Sequence, residues 1–525
     1  MRILVIFLAA IVGIIIIAGV AILYLLQDPN KYKADIQQLI NENAGVQVEL
    51  NGDLSWRLWP PIVLQAADIA YEDDETAYQV ERLNLHASVG SLLSSTPELR
   101  VQSLEMDGLT MTDKRFGSIT EVTNMTLSDF AIGEPSDLHL EAVLSPNEPE
   151  PINFNMDAVI TYFDEADKVD VSNARFLMDD LPGVCNAEVT NLTREPSSDH
   201  KETKDDLLPI DLFRSKDWDA SCTIESYEAG GVALENIGVT AKNADGLSDI
   251  KVTVPNFFDG TAEVDVDINA SRHDPKWEIN PNLEGANTQA VMAWMEQNLN
   301  WAAPLLFNGE FSMTGNTTDA LINSVNGTAK FDGGQGKLDI SQIKSSAQTL
   351  SNLANTAGAV GVNVLPELQE AVAKIAEWPE VLDYSKMIGD WSIDGKQQTF
   401  DFALDNLAIK ANGLVDPVGE TIDMRGELVF NDDPDLHSFD MPKVLQGVPI
   451  PLRCTGTLEE PKCGLDQSAA KTLVAGLLRS GATDKLQGLI KDQLGDKLGL
   501  EDKLGDKVPD EAKNLLKGLF GKKNN

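Results

Sequence analysis

Between about residue 62 and residue 285 the apolar positions of the chain recur with a period of two. Leu104 and Met106, then Leu109 and Met111, alternate with polar neighbours, and Gly108 between them marks a bulge or turn. Val169 and Val171 repeat the pattern, as do Val264, Val266 and Ile268. In Val80–Leu85 the alternation puts Val80, Arg82 and Asn84 on one face and Glu81, Leu83 and Leu85 on the other. Turn residues punctuate these runs, which predicts a large, mainly β structure with one apolar and one polar face per strand. The alternation resumes from Trp391 to Phe430 and reaches Cys454.

Other stretches have helical spacing. Tyr32, Ile36, Leu39 and Ile40 form one stripe, stopped by Gly45, and Val46, Val48 and Leu50 then begin the first strand. Asn51-Gly52 reads as a hairpin turn, with Leu54, Trp56 and Leu58 on the returning strand before Trp59-Pro60-Pro61 ends it. Val291, Trp294, Met295, Leu299 and Trp301 predict a helix within 288–307, and apolar spacing within 341–377 predicts two more. From residue 469 onward the chain reads as short amphipathic helices.

Ahead of all this stands Ile3–Leu26, an apolar run without a charge. At about 1.5 Å per residue it reaches roughly 36 Å, enough to span a bilayer core with some tilt. It is longer than the apolar core of a cleaved signal peptide, so it predicts an uncleaved anchor. A short N-terminal tail stays inside most simply and the large body is then exported, which in a Gram-negative cell means a single-pass inner-membrane anchor with the bulk periplasmic.

Charge and chemistry narrow the function. The formal charge is −42, which excludes a nucleic-acid partner, because phosphate binding needs clustered Lys and Arg. The sequence has no H-E-x-x-H, no G-x-S-x-G, no Walker A and no dinucleotide fingerprint, and its histidines are scattered singly. Glu263–Asn269 has carboxylates at alternate positions but lacks the glycine of a calcium loop, so it reads as a strand. No enzyme, cofactor or metal is predicted. The four cysteines, Cys185, Cys222, Cys454 and Cys463, include no C-x-x-C. Cys454 and Cys463 flank a Glu-Pro turn, so in an oxidising compartment they can pair across it and leave Cys185 with Cys222, although four cysteines permit three pairings.

The order of features at the N-terminus carries a resemblance. A single membrane helix, then Asp28, Pro29, Asn30 and Tyr32 opening a helix, then Gly52, Leu54, Trp56, Trp59 and Pro60 on a strand, resembles the AsmA family of Gram-negative envelope proteins. The strand–turn–strand segment 249–268 and the final hairpin 448–466 are similar to family units as well. The resemblance implies an elongated, twisted antiparallel sheet folded into an apolar groove, of the bridge-like lipid-transfer type. The expected organisation is an anchor (1–27), an N-terminal β-groove region (28–284), a helical insertion with strands (285–380), a C-terminal β-groove region (381–466) and an amphipathic helical tail (467–525). Val264, Val266 and Ile268 are candidates for the groove lining.

The function expected from the resemblance is transport of phospholipids between inner and outer membrane, with acyl chains on the apolar face. The alternative is a non-enzymatic scaffold or assembly factor for outer-membrane proteins. The partners are then phospholipid acyl chains, the inner membrane, and the outer membrane or its proteins. Trp56 and Trp59 suit either the headgroup level above the anchor or simple packing of the first strands.

Overall fold

Strict alternation along the chain yields strands, and the computed structural model is a mainly antiparallel β protein with few helices. It describes residues 29–44, 47–57, 62–73, 76–87, 100–114, 117–146, 149–194, 203, 205–229, 232–295, 300–341, 343–345, 348, 373–433, 435–436, 438–441, 443, 445–470 and 472. The expected anchor Ile3–Leu26, Asp28, Trp59, Pro60, the side chain of Tyr32 and nearly all of the expected helical tail lie outside the described residues. Among the described residues no helix is long and apolar enough to cross a membrane.

A short 3-10 turn, Pro29–Tyr32, leads into α1 (Lys33–Ala44). The strands that follow are β1 (Val48–Leu50), β2 (Leu54–Arg57), β3 (Ile62–Glu72), β4 (Thr76–Ala87), β5 (Arg100–Asp113), β6 (Ser118–Ala131), β7 (Ser136–Leu144), β8 (Ile152–Phe163), β9 (Lys168–Met178) and β10 (Leu181–Thr190). After α2 (Ile210–Ser215) come β11 (Asp217–Ala229), β12 (Val232–Ala244), β13 (Leu247–Phe257), β14 (Gly260–Asn269) and β15 (Lys276–Asn287). Then follow α3 (Thr288–Trp294), β16 (Trp301–Ala302), β17 (Pro304–Thr314), α4 (Thr318–Ser324), β18 (Asn326–Asp332), β19 (Gly336–Asp339) and β20 (Val381–Tyr384). The last strands are β21 (Met387–Asp394), β22 (Gln397–Leu404), β23 (Leu407–Asp416), β24 (Thr421–Phe430), β25 (Ile450–Thr457) and β26 (Pro461–Leu465). The carboxylate-rich segment 263–269 is part of strand β14.

The chain divides into two units. In the first, 1–257 with 261–281 and 312–324, each strand from β3 to β13 pairs antiparallel with the next. Asn51-Gly52 does not make a hairpin. β1 and β2 both pair with β3, end to end along one edge, and Asn51–Asp53 bridges them. Gly52 N–H donates to the Ala67 carbonyl at 3.1 Å, and a Cβ on Gly52 would lie 2.5 Å from that oxygen. The glycine serves close backbone approach rather than a turn.

The alternation resets at the same level on four neighbouring strands. Apolar neighbours there stand three apart: Ala66 and Ile69, Val80 and Leu83, Met106 and Leu109, Val122 and Met125, all buried except Leu109, which is half-buried. Between them lie Asp68 and Gly108 with left-handed φ of 47° and 65°, and Thr123, where the register shifts. Each irregularity adds one residue to the phase, so side chains on both sides of it return to one face. Val80 therefore shares the buried face with Leu83 and Leu85 instead of opposing them.

The second unit holds 258–260, 282–311 and 325–525. Its main ladder runs β18–β21–β22–β23–β24–β25–β26, every pair antiparallel, and β16, β19 and β20 make a small second sheet. Their shared core includes Tyr384, Phe430, Phe439, Leu404 and Leu407, and Trp301 Nε1–H donates to Tyr384 Oη at 2.8 Å within it. The helix expected over 288–307 is shorter. α3 stops at Trp294, and Trp301 and Leu305 are buried strand residues of β16 and β17. Asn287 starts α3 by accepting from the N–H groups of Gln289 and Ala290, and a residue preceding Pro304 is biased to extended backbone.

Candidate functional site

The first structural device is at the N-terminal edge of the sheet. Among the described residues, the outer edge of β1 and β2 has no strand partner. The helical segment lays a row of polar side chains along it: Asn30, Lys33, Gln37 and Asn41, at helical spacing. Asn41 Oδ1 accepts from Val48 N–H at 2.8 Å, and Gln37 Oε1 accepts from Leu50 N–H at 3.5 Å. Asn30 accepts from Leu54 N–H at 2.8 Å and donates to the Leu54 carbonyl at 2.9 Å, as a neighbouring strand would. Lys33 Nζ donates to the carbonyls of Asn51 and Gly52 at 2.9 and 2.7 Å. An open edge is a template for unwanted pairing, and these amides cover it. Ile36, on the apolar stripe of the same helix, packs against the core of the first unit.

The second device is a set of apolar rows running across the strands. Directly opposed residues give one row: Leu54, Ala66, Leu83, Met106, Met125, Leu140, Met156, Phe176, Gly183, Ile224 and Ile237. At the usual strand spacing this row is roughly 50 Å long, from β2 to β12. It carries no charged side chain. Up to β6 its members are buried, whereas from Met156 to Ile224 they are half-buried, Gly183 excepted. A parallel row contains Ala174, Cys185, Cys222, Val239 and Val252, and Cys185 is joined to Cys222 within it. Further along, Val264 and Val266 are half-buried and Ile268 is buried.

The matching face of the second unit holds a cavity of about 460 Å³. Its walls are Phe331, Trp391 and Phe400 on one side and Leu428, Leu452 and the joined pair Cys454–Cys463 on the other, with the small residues Ala411 and Gly426 between. Both disulfides thus lie on the apolar face of their own unit.

Residues 1–117 match the model of the AsmA family. Over this stretch the chain is similar to the AsmA family. No curated protein sequence matches the chain.

The AsmA match covers the expected anchor and the strands through β5, and it includes the edge device. Within the motif, Pro29 is buried, Asn30 and Gly52 act on the edge as described, and Leu54 begins the first apolar row. Trp56 is half-buried on the same face as Leu54. Lys33, Gln37 and Asn41 are the site residues that apolar periodicity passes over. Their own period, 30, 33, 37 and 41, is helical and was available in the polar residues.

The opposite face of the sheet carries the charge. Lys251 pairs with Glu263 and with Asp265, the latter at 3.4 Å. Lys168 lies between Glu188 at 2.6 Å and Asp170 at 3.0 Å, and these hydrogen bonds raise its pKa. His139 is held by Asp157 at 2.8 Å, a bond that raises the imidazole above its ordinary value, with Glu141 adding to it. Burial, then repulsion from Asp249, Glu278 and Asp265, raises the carboxyl of Asp267. Among the described residues no group of His, Cys, Asp or Glu could hold a metal ion.

Proposed function

We propose that this AsmA family protein is an inner-membrane-anchored periplasmic carrier of phospholipids between the inner and outer membranes. Acyl chains lie on the apolar faces of the sheet, which act as a groove, and headgroups stay at its margin. The observation that carries the reading is the uncharged apolar row from Leu54 to Ile237, continued by Val252 in the neighbouring row. A chain moving across strands needs such continuity, because each methylene exposed to water costs about 0.8 kcal/mol. The carboxylate-rich polar face keeps the other side of the sheet in water. The role requires no bond-making chemistry.

Photo-crosslinking residues placed at Val264, Val266 and Ile268 of the chain in cells test this. Capture of phospholipid at these positions is the expected result. Capture of unfolded outer-membrane barrel proteins, with no lipid, would replace the carrier with an assembly factor.

A further inference from the structure

The cavity of the second unit is closed at one end. Along the strands its apolar face runs into Leu404, Leu407 and Phe430, each 0% exposed, which plug that end. Across the strands it extends from Trp391 on β21 to Cys463 on β26, roughly 24 Å at the usual spacing. It is deep because Ala411 and Gly426 are small where their row neighbours Phe400 and Leu452 are large.

The lining selects hydrocarbon. The row facing the cavity offers one polar side chain, Gln398, and its Oε1 already accepts from Trp391 Nε1–H at 3.1 Å. Arg425 and Arg453 border the cavity, but they occupy alternate, exposed positions of β24 and β25. Among the described residues, no side chain on the inward face of these strands complements a phosphate or an ammonium group. The cavity of about 460 Å³ is long and narrow, spanning six strands, a shape that suits an extended hydrocarbon chain.

We infer that this cavity is a single-chain binding site: it holds one long aliphatic chain, lying across β21 to β26, with any head group outside. The inference rests on the lipid-carrier reading and sharpens it, since one chain per site makes the second unit a holding station rather than a further stretch of open groove. The chain can belong to a free fatty acid or to a two-chain phospholipid.

The test uses the full chain reconstituted in vesicles containing either diazirine-bearing palmitate or a phosphatidylethanolamine with a diazirine on one palmitoyl chain. After irradiation the labelled peptides are mapped and counted. The expected result is one labelled chain per protein on peptides carrying Phe400, Ala411 or Leu452. Labelling there falls at least tenfold in Ala411→Phe and in Leu452→Phe, which fill the cavity from different walls, while labelling of the peptide carrying Val264 and Val266 persists. Far-UV circular dichroism establishes that each variant is folded. Whichever probe labels identifies the source of the chain, and either satisfies the inference. Label on the Val264 peptide alone overturns the single-chain site and leaves the carrier reading standing. Label on neither overturns both. Two chains per site, or labelling unchanged in both variants, also overturns the inference.

Discussion

Replacing Asn30 by alanine removes a residue that stands in for a neighbouring strand. Asn30 makes two hydrogen bonds to one residue, accepting from Leu54 N–H at 2.8 Å and donating to its carbonyl at 2.9 Å. Each such bond contributes about 1 kcal/mol net, and more when the group left behind stays out of water. The site is half-buried, so some water reaches it and the lower figure applies. The expected cost of local opening is therefore about 2 kcal/mol, which is roughly a thirtyfold faster exchange of the Leu54 amide. Hydrogen–deuterium exchange on the full chain reads this directly. Peptides from β1 and β2 should exchange faster in Asn30→Ala, whereas β4 and β5, whose ladder bonds are untouched, should not change. Unaltered exchange at Leu54 would refute the edge-capping account. So would an equal rise across β3 to β6, because Asn30 would then be supporting the unit as a whole.

Other consequences concern stability. In the chain-entropy view, Cys185–Cys222, separated by 37 residues, contributes about 4 kcal/mol, and Cys454–Cys463, separated by 9, about 3 kcal/mol. Paired alanine substitutions should thus lower the denaturation midpoint more for the first pair than for the second; the reverse order would count against the loop argument. Gly108→Ala places a Cβ on a left-handed residue with φ 65° and about 2.6 Å from Glu81 Cγ, so a loss of at least ~1 kcal/mol is expected in chemical denaturation. His139 gains more from its bond to Asp157 while protonated, when the contact is charge-assisted. Its raised value means the contribution is present below the ordinary histidine range and is lost as pH rises through the folded value. Stability measured from pH 6 to pH 9 should therefore decline less in His139→Gln than in the unaltered chain.

Much of this architecture could be read from residue order. Period-two runs such as Val264-Asp265-Val266 give strands with unlike faces, and β14 is one. The hairpin at 450–465 follows from its Glu-Pro turn. What escaped was governed by register. Asn51-Gly52 has the composition of a hairpin turn, yet the chain continues along β3, because Leu50 and Leu54 both find apolar partners there, Ile69 and Ala66. The one-residue reset at Asp68, Gly108 and Thr123 shifts the phase, so Val80 lies with Leu83 and Leu85 rather than opposite them as strict alternation predicts. The interval of three between apolar residues on four successive strands is the signal, and it gains meaning only once the strands are aligned. The cavity of the second unit was hidden for the same reason. Ala411 and Gly426 are distant in sequence from Phe331, and only the ladder makes them its walls and floor.

The central claim is that lipid travels on one face of the sheet. Val266 and Asp265 are neighbours on β14 with opposite faces, Asp265 facing Lys251. The most direct test places a photo-crosslinking residue at each in turn, in cells, and compares the phospholipid captured. The account predicts capture at residue 266 and none above background at 265. Equal capture at both, or capture at 265 alone, would contradict it.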